Sequence, residues 1–136
     1  MTPQELRRRT KVFGERTRGF CRPYLRDTDA GNAARQLTRA SAAVGAAYRS
    51  VCLSRSHDEF ICRIAHTLEE ADECKYWTRY LRNGGLESKE LIALFNESVE
   101  LSRIFGASLT TAMARPPEER RPPNRTKTPR KRRPSQ

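Results

Sequence analysis

Two regularly spaced lines of apolar residues, separated by a short corner, constrain the fold of this chain more than any other feature. The first line recurs at steps of three or four residues and comprises Ala33, Leu37, Ser41, Val44, Tyr48 and Val51. The second has the same period and comprises Phe60, Ile64, Leu68, Ala71, Cys74, Trp77 and Leu81. Such spacing puts each line on one face of a helix. Two amphipathic helices joined by so short a corner are predicted to lie antiparallel and to bury these faces against each other.

A further helix is predicted on each side of this pair. The first is predicted to start with a capping box between Thr2 and Glu5, and its apolar seam comprises Leu6, Thr10, Phe13, Thr17, Phe20 and Tyr24. The fourth is predicted to end near Met113, and its line comprises Leu91, Leu94, Ser98, Leu101, Phe105 and Leu109. We therefore predict an all-α, antiparallel up-down-up-down four-helix bundle over residues 1–114. Residues 115–136 are predicted to form a disordered, basic Pro/Arg-rich tail.

Turn and cap residues punctuate this pattern. The cluster Asp27-Thr28-Asp29 is predicted to start the second helix, and Ser56 is predicted to cap the third, with Glu59 at the capping-box position. Gly84-Gly85 is predicted to stop the third helix. The second helix is rich in small residues, and Gly45 in its interior costs helix stability. We infer a tight crossing at Gly45, against another helix or another subunit.

The net charge of +11 is confined to the two ends of the chain. Residues 1–26 carry eight Lys or Arg and two Glu, residues 27–114 carry ten Lys or Arg and twelve Asp or Glu, and residues 115–136 carry nine Lys or Arg and two Glu. Both ends are therefore strongly positive and the middle is slightly negative. Charge segregated in this way favours a polyanionic partner.

Nucleic acid is the polyanion that this pattern favours. The predicted phosphate contacts come from the first helix, at Arg7, Arg8, Arg9, Lys11, Arg16 and Arg18, which lie largely off its seam and should be solvated. The tail is predicted to supply the other phosphate contacts, at Arg120, Arg121, Arg125, Lys127, Arg130, Lys131, Arg132 and Arg133. A tail of this kind can also be only solubilising. The alternative function is a protein–protein adaptor whose basic tail docks an acidic partner.

Catalytic and metal chemistry find little support in the residue pattern. Cysteines at positions 21, 52, 62 and 74 lack the spacing of a zinc or redox motif and are predicted to be reduced core residues. Neither His57 nor His66 stands three residues after a glutamate, as a di-metal bundle requires. Consecutive residues 56–58 cannot converge as a catalytic triad. We predict no enzymatic activity, no cofactor and no small-molecule substrate, and no segment is apolar enough for a membrane span.

Two groups of side chains in the central helices, one acidic and one aromatic, are candidates for contacts between helices or with a partner. Glu70 or Glu73 is predicted to pair with Arg49 across the helix pair, beside a contact between Tyr48 and Trp77. The aromatic residues Tyr76, Trp77 and Tyr80 could stack nucleobases or form core or subunit contacts. We favour the second role for Trp77, and the role of Tyr80 stays open.

The same central stretch resembles a known family. Val44, Gly45, Ala46, Tyr48 and Arg49, then Arg55, Ser56, Glu59 and Phe60, then residues 68–73 and Tyr76-Trp77 match its pattern, as does an opening at residues 9–13. The family is the small bacterial four helix bundle protein family, first noticed in intervening sequences of large-subunit ribosomal RNA genes. The resemblance covers roughly residues 9–110. Ala47 and Ser50 depart from it, since asparagine and glutamate are usual there.

The resemblance carries implications beyond the residues. The family's structural motif falls here on Gly45, Tyr48, Arg49, Glu69, Glu70, Asp72, Glu73 and Trp77. Relatives assemble as homopentamers, and a related branch, the accessory variability proteins of diversity-generating retroelements, partners a reverse transcriptase and its template RNA. By that resemblance the chain is expected to be a bacterial, cytoplasmic, self-associating scaffold that binds nucleic acid.

Overall fold

The computed structural model describes residues 1–116, and these form an antiparallel up-down-up-down four-helix bundle, as predicted. The helices are α1 (Pro3–Cys21), α2 (Gly31–Cys52), α3 (His57–Asn83) and α4 (Lys89–Ala114), with a 3-10 turn at Arg22–Tyr24 after α1. Residues 1–116 contain no strand. All but the first two residues of the predicted tail lie outside the described residues.

Three of the four helix starts carry side-chain caps, and two of these were predicted. The Thr2 hydroxyl accepts from the Glu5 amide at 3.1 Å, and the Thr2 amide donates to the Glu5 carboxylate at 2.9 Å. The Ser56 hydroxyl accepts from the Glu59 amide at 3.0 Å. The second half of that capping box is missing, because the Glu59 carboxylate pairs with Arg63 at 2.5 Å. Ser88 caps α4.

The start of α2 differs from the prediction. The Asp27 carboxylate accepts from the backbone amides of Asp29 and Ala30, at 2.9 and 2.8 Å, and so closes the turn before the helix. These two hydrogen bonds lower the pKa of Asp27. The helix itself begins at Gly31, where the residue at the cap position makes no side-chain capping bond. Asp27 therefore organises the connection rather than capping α2.

The core follows the predicted lines along α2 and most of α1 and α4, and departs from them at the ends of α1 and α4 and along α3. Near those ends Cys21 and Ala112 are buried, whereas Phe20, Tyr24 and Leu109 are only partly buried. Thr67 and Thr78 are fully buried on α3, whereas Phe60, Leu68 and Trp77 are only partly buried. The two hydroxyls donate to carbonyls one turn earlier in their own helix, at 2.8 Å each. Because this local bond removes the cost of burying the hydroxyl, threonine can occupy the core line and the larger side chains move to its margins.

The predicted contact between Tyr48 and Trp77 is wrong. Tyr48 stacks on Phe105 of α4, with 5.7 Å between the ring centroids. Burial, with the neighbouring Cys52 adding to the effect, raises the pKa of Tyr48 to about 12. This contact joins α2 to the helix diagonally opposite it, so Tyr48 belongs to the centre of the bundle.

The tight crossing predicted at Gly45 exists, and its partner is α1. A Cβ atom at Gly45 would lie 3.6 Å from the Thr10 carbonyl oxygen. On the other side, a Cβ atom at Gly14 would lie 3.1 Å from the Ser41 carbonyl oxygen. The two glycines thus bring the backbones of α1 and α2 close together.

The four cysteines divide into two pairs. Cys21 and Cys74 are buried and Cys52 and Cys62 are exposed, and all four are free thiols. Burial raises the pKa of both Cys21 and Cys74. The prediction of core cysteines is therefore confirmed for Cys21 and Cys74 and wrong for Cys52 and Cys62, which lie on outer faces of α2 and α3.

Candidate nucleic-acid interface

The cations of α1 fall into two sets that face opposite neighbours. Arg9 makes two hydrogen bonds to the Glu97 carboxylate of α4, at 3.0 and 2.5 Å. Arg16 makes two to Glu90, at 3.1 Å each. Their side chains bridge a helix pair that is in much less extensive contact than the other neighbouring pairs. The expectation of solvated arginines is wrong for Arg9, which is partly buried against Glu97, whereas Arg16 pairs with Glu90 and still stays exposed.

The other set lines a groove between α1 and α2. The groove has a volume of about 690 Å³. We call it the basic groove, because its walls are cationic. The walls are formed by Arg7, Arg8, Lys11 and Arg18 of α1 and Arg49 of α2. Within residues 1–116 none of these five cations forms an ion pair. Glu15 is the single carboxylate among the lining residues, so the groove carries a net positive charge.

Small residues form the floor of the basic groove. Those from α2 are Thr38, Ser41, Ala42, Gly45 and Ala46, and α1 adds Thr10 and Gly14. Because these side chains are small and the backbones of α1 and α2 lie close together, the floor is formed largely near the backbone. The long cationic side chains line the two sides of the groove. A groove of this shape can bind a phosphate backbone through charge and hydrogen bonds from guanidinium and ammonium groups.

Arg49 lies in this groove and not beside its predicted partners, Glu70 and Glu73. Arg39 contacts both carboxylates, at 3.5 Å from Glu70 and through a shorter hydrogen bond to Glu73. In an antiparallel pair, residues equally far from the corner lie opposite each other, and Arg39 and Glu70 satisfy that condition. Arg49 lies ten residues nearer the corner, about 15 Å along the helix. The predicted pairing of Arg49 is therefore wrong, and the chain positions alone were enough to identify Arg39.

The other two carboxylates of the acidic cluster at residues 69–73 face outward on α3. Asp72 pairs with Lys75 at 3.2 Å, and Glu69 lies 3.9 Å from His66. In the part of the chain that is described, no cluster of three or more potential metal ligands occurs. This acidic surface lies on α3, not on the helices that form the basic groove.

The aromatic residues near the end of α3 form one cluster. The Trp77 ring is partly buried against the core, and its indole N–H donates to Glu73 at 3.4 Å. Tyr76 meets it edge-on at 4.8 Å between centroids, and Tyr80 at 5.5 Å. Tyr76 and Tyr80 are 58% and 51% exposed. The core role favoured for Trp77 fits this position, whereas the two tyrosines point to solvent.

The tail cations lie outside the described residues. They are Arg120, Arg121, Arg125, Lys127, Arg130, Lys131, Arg132 and Arg133. Their predicted contacts with nucleic acid stay a prediction. Of the six α1 cations, the structure brings four together in one groove and turns two away from it.

Fold and groove together define an all-helical bundle protein with a basic groove between its first two helices. The bundle is similar to the crystal structure of a Bacteroides thetaiotaomicron protein described as having unknown function and belonging to the S23 ribosomal protein family. The TM-score is 0.72 at 20% identity, over 81% of this chain and 99% of the other. At that identity the likeness shows the shared fold alone.

No family model matches the chain, and no curated protein matches it either. Among the helices of residues 1–116, none is both long and apolar enough to cross a membrane.

Proposed function

We propose that this protein is a non-enzymatic scaffold that binds nucleic acid, RNA in particular, through the basic groove. The observation that carries the proposal is the sorting of the α1 cations. Arg9 and Arg16 pair with carboxylates of α4. The other four α1 cations line the basic groove together with Arg49, and Glu15 is the single carboxylate there. Five exposed cations along one groove create a positive field that attracts an anion.

The chemistry of the groove suits the phosphate backbone rather than the bases. All five cations are long side chains on helix flanks, and the aromatic cluster that could stack bases lies on α3. Binding should therefore be insensitive to base sequence and steeply dependent on salt. Five phosphate contacts to a single strand predict a slope of about −3.5 in a plot of log K against log salt concentration.

The finer parts of the proposal rest on the resemblance in sequence. It supports self-association, with a homopentamer as the expected form, and an accessory role beside a reverse transcriptase of a diversity-generating retroelement in the bacterial cytoplasm. The S23 ribosomal protein family of the similar structure is in keeping with an RNA setting. Residues 117–136 would add further phosphate contacts.

Removing the groove cations tests the proposal. The groove variant changes Arg7, Arg8, Lys11 and Arg18 to Gln in the full chain. The matched control makes the same change in net charge on other surfaces, with Arg55, Lys75, Lys89 and Arg103 changed to Gln. Binding to a structured RNA and to a single strand is measured by filter retention over a range of salt.

The groove variant should lose about four contacts. The slope of its plot of log K against log salt concentration should become shallower by roughly 3. Its affinity for RNA near 0.1 M salt should fall by about 10²–10³-fold. The control should retain most of the wild-type affinity. Equal affinity for the groove variant and the wild type, or an equal loss in both variants, would contradict the proposed site. Binding of one protein that survives nuclease treatment, without RNA binding, would favour the adaptor function instead.

A further inference from the structure

A second surface, on the outer side of α3, combines carboxylates with exposed aromatic rings. It consists of Glu69, Asp72, Tyr76 and Tyr80, which recur at steps of three or four residues and so share one face. All four are exposed, and no other helix of the bundle covers them. We call this surface the acidic–aromatic face.

The aromatic part of the face is a cluster of three rings. The rings of Tyr76 and Tyr80 lie 6.3 Å apart, and each meets Trp77 edge-on. Neighbouring carboxylates come from Glu69, Glu70, Asp72 and Glu73, and the cations paired with them are Arg39 and Lys75. Excess carboxylates repel a phosphate backbone. They suit a cationic segment, whose guanidinium groups can also stack on the exposed rings.

The chain itself contains such a segment. Residues 120–133 include eight Lys or Arg and no Asp or Glu. The geometry of the bundle brings its origin close, because His57 Nε2 lies 2.8 Å from the Ala112 carbonyl oxygen, so α4 ends beside the start of α3. From His57 to Tyr76 the distance along α3 is about 29 Å. Fourteen residues from position 116 to Arg130 can span about 43 Å in a proline-rich extended form.

We propose that the Arg130–Arg133 run docks on the acidic–aromatic face of its own chain. Charge complementarity, ring exposure and chain length all select this occupant. A segment held there is not available for phosphate contacts, so nucleic acid must draw the tail away from α3 to use its cations. The acidic–aromatic face would then compete with nucleic acid for the tail and weaken non-specific binding. The docking itself does not depend on the groove binding RNA.

Trp77 reports on this contact directly, because it is the single tryptophan of the chain and lies at the edge of the face. The full-length wild type is compared with a tail variant in which Arg130, Lys131, Arg132 and Arg133 are changed to Gln. The groove variant described above is the matched control, since it removes the same number of cations from a different surface. Quenching of Trp77 emission by acrylamide is measured at low and high salt.

Docking should shield Trp77 at low salt. The wild-type quenching constant should rise about 2-fold between roughly 0.05 and 0.5 M salt, because salt screens the ion pairs. The tail variant should show the higher value at both salts, and the groove variant should behave as the wild type. Equal quenching of wild type and tail variant at low salt would overturn the proposal. A difference between wild type and tail variant that disappears on dilution would also overturn it, since the occupant would then be another copy's tail. Failure of RNA binding would leave this result unchanged.

Discussion

The close crossing of α1 and α2 predicts opposite outcomes for two glycine-to-alanine substitutions. Gly106 lies inside α4, and a Cβ atom there would meet no atom within 4 Å. Gly106→Ala should stabilise the bundle by about 1 kcal/mol, because alanine loses less backbone entropy in a helix. Gly14→Ala gains the same propensity, but its Cβ would lie 3.1 Å from the Ser41 carbonyl oxygen.

That oxygen belongs to the backbone of α2, so it cannot move without shifting the helix. We expect overpacking to cost about 1–3 kcal/mol at this site, which offsets or exceeds the propensity gain. Gly14→Ala should therefore be at least about 1 kcal/mol less stable than Gly106→Ala, a difference of several degrees in Tm.

Urea unfolding followed by circular dichroism measures the difference between the two variants. Gly45→Ala is the intermediate case, because its Cβ would lie at ordinary contact distance, 3.6 Å, from the Thr10 carbonyl oxygen. It should be neutral or stabilising. If Gly14→Ala stabilises as much as Gly106→Ala, the helices are not held at the close distance that shapes the groove floor, and this account of the crossing is wrong.

Three further predictions concern the contacts that fix the helices and the turn before α2. A double-mutant cycle of Arg9→Met and Glu97→Gln should give a coupling free energy of about 0.5–1.5 kcal/mol in urea unfolding, and a coupling near zero would show that the pair does not hold α1 to α4. Ser56→Ala should cost about 1 kcal/mol by the same assay, whereas an unchanged midpoint would remove its role as a cap. Asp27→Ala should destabilise the protein near neutral pH. Because the folded-state pKa of Asp27 is depressed, its stabilisation is present above the unfolded-state pKa and is lost as pH falls through the folded-state value. The stabilities of wild type and variant should therefore converge in acid. A difference in stability that does not change with pH would show that the carboxylate charge is not its cause.

Local sequence signals were sufficient for most of the fold. The period of the apolar residues and the capping residues identify four helices. Because the connections between them are short, consecutive helices must be antiparallel neighbours, which gives an up-down-up-down bundle. The same reasoning failed where a local hydrogen bond changed a residue's burial. Thr67 and Thr78 look polar in the sequence, but their hydroxyls bond to their own helix, so they occupy the core line of α3.

The sequence by itself determined that the chain carries its positive charge at the ends, that four amphipathic helices form the body, and that α2 crosses a neighbour closely near Gly45. Only the tertiary structure decided which cations are available. Arg9 and Arg16 leave α1 in directions that turn them toward carboxylates of α4, whereas Arg8 and Lys11 line the groove beside α2. An ion pair between helices depends on which faces meet, and residues distant in the chain set those faces.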